Sequence, residues 1–116
     1  MKLIYCAGAY TATTITGVID NVTAAEEAGK EVLLAGFVPV IPHGITRYWD
    51  FDPRFKQKKH DWWLTQFCYP LLKGCHGIYL YSGWEKSKGA IMERDFSLKH
   101  KIPIATSIAE LTALFH

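Results

Sequence analysis

A carboxylate at Glu93 stands one to two turns inside a predicted helix that begins at Ser87, in the run Ser87-Lys88-Gly89-Ala90-Ile91-Met92-Glu93. Ser87 has the character of an N-cap. Gly89 falls in the first turn, where a bare Cα lets a ligand approach the backbone. Before the helix come a short loop, Ser82-Gly83-Trp84-Glu85-Lys86, and an apolar run, Ile78-Tyr79-Leu80-Tyr81, with the composition of a buried strand. Strand, loop and helix N-terminus together form the place where open α/β sheets hold ligands, because free N–H groups and the helix dipole meet there. A carboxylate beside such a crevice has the chemistry of a nucleophile or a base. Taken alone, the helix favours the plainer reading of a solvated carboxylate.

The surrounding elements must bring partners to it. Lys2–Cys6 is a predicted strand, followed by a small-residue loop, Ala7-Gly8-Ala9-Tyr10-Thr11. A helix is expected from about Val18 to Ala35, with Val22, Ala25, Ala28 and Val32 on one face. Phe37–Ile41 is a second strand, and its Pro39 predicts an edge position because proline cannot donate to a ladder. Pro42–Gln57 is a long loop with His43, Arg47, Tyr48, Trp49, Asp50 and Asp52, a length typical of lids and binding loops. A helix over Lys58–Lys73, a strand over Gly77–Tyr81, a helix from Ser87 to about His100, a strand over Ile102–Ile104 and a last helix from Ser107 to His116 complete the pattern. Ser107 with Glu110 forms a capping box.

This alternation predicts one α/β domain over residues 1–116: a parallel, flavodoxin-like or Rossmann-like sheet of order 2-1-3-4 with helices on both faces. Its crevice opens where strands 1 and 3 diverge. Tyr5, Gly8, Ala9, Tyr10, Trp84, Ser87, Gly89 and Glu93 are therefore expected near one site. A buried Tyr5 hydroxyl needs a partner, and Glu93 is the candidate. Trp84 is either packing or a ring that stacks on a ligand. His43 and Arg47 reach a phosphate or base only if the long loop folds over the site; a solvated loop is the other reading.

The bulk properties exclude several classes. The net charge is +2 with no long basic tract, so nothing calls for nucleic acid. No apolar run approaches a membrane span, and the start shows no signal-peptide pattern. Cys6, Cys68 and Cys75 lack CxxC spacing, which fits reduced thiols and a cytoplasmic setting. The histidines and cysteines show no metal-ligand spacing, and neither GxGxxG nor a P-loop is present, so neither metal nor cofactor is expected.

The stretch GWEKSKGAIME, combined with IYCAG at the first strand, resembles the nucleoside 2-deoxyribosyltransferase-like family, which includes nucleoside 5'-monophosphate N-glycosidases. The likeness runs over roughly the first 105 residues. It implies that Glu93 attacks the anomeric carbon of a nucleoside or nucleotide and that Tyr5 orients it. It also implies a contact from Ser87 to a 5'-phosphate, and a homodimer or higher homo-oligomer. Family enzymes carry a second acid eight residues before strand 3; counting back from His76 gives Cys68. Asp61, seven residues earlier and on the same face of a regular helix, is the alternative acid, although the reading of a helix-start carboxylate stands ahead of it. A nucleotide-binding module without turnover is the rival reading.

Overall fold

The computed structural model describes residues 1–115; His116, the expected end of the last helix, lies outside them. Four parallel strands form the sheet: β1 (Leu3–Ala7), β2 (Val38–Val40), β3 (Gly77–Leu80) and β4 (Ile104–Ala105), in the order β2-β1-β3-β4. The topology and the edge position of Pro39 are as the sequence predicts. Tyr5 lies opposite Ile78, and Ala7 opposite Leu80.

Side chains alternate across the sheet and divide the core in two. Ile4, Cys6, Tyr79, Tyr81 and Ala105 face α1 (Ile15–Leu34) and α6 (Ile108–Phe115), through Ala25, Ala28, Val32 and Leu111. Tyr5, Ala7, Ile78 and Leu80 face the other way. They pack on Leu72 of α4 (Tyr69–Lys73) and on Ala90 and Phe96 of α5 (Lys88–Lys99). The alternation puts Tyr5 on the side from which Glu93 projects.

Several boundaries differ from expectation. The first helix begins three residues early because the Thr14 side chain accepts from the Gly17 N–H and caps it. The long loop holds a short helix, α2 (Pro42–Ile45), and 3₁₀ turns at Trp49–Phe51 and Pro53–Phe55. The fourth strand starts at Ile104. Lys101 adopts a left-handed φ of 58°, and Pro103 has no N–H to give the ladder.

The predicted helix over Lys58–Lys73 is not regular. It starts as α3 (His60–Trp63), widens into a π-turn at Leu64–Cys68 and continues as α4. The Tyr69 N–H bonds the Leu64 carbonyl five residues back. The wide turn ends just before Pro70, which cannot donate to a carbonyl one turn earlier and whose ring would crowd it.

Candidate functional site

At the carboxyl ends of β1 and β3 lies a cleft of about 610 Å³. Its floor holds Glu93 and Cys68. One wall is the β1 loop from Gly8 to Thr11, with His43, Thr46 and Asp50. Another is His60, Trp63 and Leu64, and the third is Lys86 to Gly89, with Lys58 beside it.

Glu93 is 3% exposed and Tyr5 fully buried. The Tyr5 hydroxyl donates to Glu93 Oε2, so the strand residue fixes the carboxylate. Burial raises the Glu93 carboxyl from its ordinary range to about 7, and the Tyr5 hydrogen bond pulls it part of the way back. Tyr5 is raised well above 10, first by burial and then by the Glu93 charge; it is a donor at every physiological pH. The Ser97 hydroxyl bonds the Glu93 backbone carbonyl at 2.9 Å and steadies that turn of α5. Burial, then the Glu93 charge, push the Cys68 thiol up to about 12, so it is neutral. Two protonated groups thus flank one carboxyl that titrates near neutrality.

The β1 loop is built around Gly8. A Cβ there would stand 2.2 Å from the Tyr81 ring, so only glycine lets that ring close under the loop. His43 Nε2 lies 3.0 Å from the Gly8 carbonyl. A carbonyl only accepts, so Nε2 carries the proton, and burial lowers the His43 pKa and keeps the ring neutral. The Tyr10 ring packs on His43 at 5.1 Å between centroids. Its hydroxyl donates to Asp50 Oδ1 at 2.8 Å and accepts from the Tyr48 N–H at 2.9 Å. These bonds fold the long loop onto the site, and Tyr48 takes a left-handed φ of 68° to make its contact.

Ser87 caps α5: its Oγ accepts from the Ala90 N–H at 3.1 Å. The hydroxyl proton stays available to a ligand. Gly89 is covered by His60, since a Cβ on it would lie 3.1 Å from His60 Nε2.

Of the residues singled out from sequence, Glu93, Gly8, Ala9, Tyr10, His43, Ser87 and Gly89 line this one cleft, and Tyr5 lies beneath it. Two do not line it. Trp84 packs on the core beside α5, with the Arg94 guanidinium 5.4 Å from its ring centroid, and borders a separate depression with Glu31 and Thr106. Asp61 is an exposed first-turn residue of α3. The reason is the π-turn: its extra residue breaks the seven-residue register, so Cys68 turns to the cleft and Asp61 does not. Apart from Glu93, Asp50 is the only carboxylate lining the cleft among the described residues. Lys58, His60, Trp63, Lys86 and Lys88 were not singled out. Lys58 and His60 sit in a charged run that reads as a solvated face, while Lys86 and Lys88 flank Ser87, a position that is a usable signal. Among the described residues, no group of three or more His, Cys, Asp or Glu could hold a metal ion, and no helix is long and apolar enough to cross a membrane.

The fold and site define a parallel α/β protein with a buried Tyr–Glu pair at the switch point of its sheet. More particularly, the chain belongs to the family described as a domain of unknown function, DUF4406, whose profile matches residues 4–106. No curated protein matches it.

Proposed function

We propose that this protein cleaves the N-glycosidic bond of a nucleoside or nucleoside 5'-monophosphate, with Glu93 as nucleophile. The observation that carries this is the buried Glu93, oriented by Tyr5 at one oxygen and lining the cleft. The other oxygen attacks C1' of the sugar. The C1'–N bond breaks, its electron pair leaves with the base, and the base takes up a proton. Water then attacks C1' of the sugar ester and gives up one proton to solvent, matching the one the base took from it, which releases the sugar and restores the carboxylate. Attack by a second base in place of water gives an exchanged nucleoside. Glu93 acts in its charged form, so release rises with pH through about 7.

The resemblance to the nucleoside 2-deoxyribosyltransferase-like family supports the same reading, together with a homo-oligomeric, cytoplasmic enzyme that needs neither metal nor cofactor. Ser87 and the first turn of α5 favour the phosphorylated substrate. One observation favours the rival, a binding module without turnover: the neutral Cys68 thiol stands beside Glu93 where a second acid would activate water. Chromatography after incubation with nucleosides and monophosphates of each base separates the two. Free base supports the enzyme. Tight binding with no free base from any substrate supports the module.

A further inference from the structure

The mouth of the cleft carries more positive charge than a monophosphate calls for. Lys58, Lys86 and Lys88 all line it. The ion pairs among the described residues are Lys30–Glu27, Arg47–Glu26, Arg54–Asp52 and Arg94–Asp95, and none uses these three lysines. The Lys58 ammonium lies 5.0 Å from the Trp62 ring centroid, which gives it a fixed seat but no counter-charge. His60 adds ring nitrogens against Gly89. The first-turn amides of Lys88 and Gly89 are donors that α5 itself cannot satisfy. Against these stand Asp50, which is tied to Tyr10 on the far wall, and Glu93 on the floor. Glu85, next to Lys86, borders the separate depression instead.

Charge and distance then select the ligand. A phosphate monoester carries about −1.5 to −2 at pH 7. The Ser87 corner and one lysine balance it. Three ammonium groups and a helix end carry roughly +3.5, or roughly +2.5 once Asp50 is counted, which exceeds what a monophosphate balances and suits a diphosphate or longer chain. Gly89 and Glu93 are four residues apart on α5, about 6 Å along the axis. A sugar carbon at Glu93 therefore leaves its 5'-phosphate near Ser87, and a longer chain continues outward to the lysines.

We propose that the cleft takes nucleoside 5'-di- or triphosphates in preference to monophosphates, with Lys58, Lys86 and Lys88 holding the phosphates beyond the first. The proposal rests on the nucleotide reading of the cleft. Calorimetry with the Glu93→Gln variant, whose turnover is expected to fall at least about a thousandfold, tests it at low salt. The probes are the four common nucleosides, their mono-, di- and triphosphates, and inorganic tripolyphosphate. Affinity should rise about tenfold from mono- to diphosphate, the worth of a charge-assisted contact. The Lys86→Ala/Lys88→Ala double variant should erase that step. Added salt should weaken the triphosphate most. A flat series in which the nucleosides still bind overturns the proposal and leaves nucleoside cleavage standing. Tripolyphosphate bound as tightly as any triphosphate overturns it in favour of a plain anion site. No binding by any nucleoside or nucleotide overturns it and the nucleotide reading together.

Discussion

Replacing Glu93 with glutamine should stabilise the protein above neutral pH. Glu93 is buried, and burial raises its pKa from 4.5 to about 7 against the opposing Tyr5 hydrogen bond. The sign follows from linkage. Below about pH 4.5 the group is protonated in the folded and unfolded chains alike and has no effect. Between 4.5 and 7 the unfolded chain ionises while the folded one keeps its proton, so stability falls as pH rises. Above about 7 the full penalty stands, about 3 kcal/mol for a shift of this size. The glutamine side chain carries no charge, and its carbonyl can still accept from the Tyr5 hydroxyl that now bonds Glu93. Its new N–H groups need the water of the cleft, which reduces the gain. Glu93→Gln should therefore be more stable than the parent by about 1–3 kcal/mol at pH 8, and the gain should vanish near pH 4.5. Urea unfolding at pH 4.5, 6, 7 and 8 reads this as a shift in midpoint at constant slope. Parallel stability profiles for the two proteins, or a variant less stable at pH 8, would refute the reasoning. A side chain that destabilises the fold in place is a mark of a functional site rather than a structural one.

Other outcomes follow from single contacts. Gly8→Ala should cost about 1–3 kcal/mol, because its Cβ meets the Tyr81 ring at 2.2 Å; the thermal midpoint checks it. Tyr81→Phe should be neutral or stabilising, since the Tyr81 hydroxyl is buried without a hydrogen-bond partner among the described residues; a loss above about 1 kcal/mol in urea would contradict this. Asp61→Asn should leave base release within about twofold of the parent, because Asp61 is exposed and off the cleft; loss of release would restore it as the working acid. The exposed Ile15, Ile19, Trp49 and Phe51 give a second copy apolar surface to cover, and light scattering at micromolar concentration should report a dimer or larger.

The fold was legible because each level of the sequence agreed. Apolar runs alternate with helical periods, and Pro39 marks the edge strand that it occupies. The Tyr5–Glu93 pair was legible for a topological reason. Strands 1 and 3 are neighbours, and a residue early in the helix after strand 3 must hang over strand 1. What escaped was set by single residues. A π-turn leaves no mark on hydrophobic periodicity, so the faces of Asp61 and Cys68 could not be assigned from spacing. Trp84 sits in a loop at the right place, but Arg94, ten residues on, holds its ring against α5. Lys58 and His60 look like any charged run until the chain folds both to the cleft, with His60 against Gly89.

The central claim is that Glu93 performs covalent chemistry on a glycosidic carbon. The most direct measurement is the rate of free-base release by the parent protein and by Glu93→Gln on the same nucleotide, with binding followed in parallel. The account predicts release by the parent, a loss of at least about a thousandfold in the variant, and affinity retained. Release by Glu93→Gln at near the parent rate would contradict it.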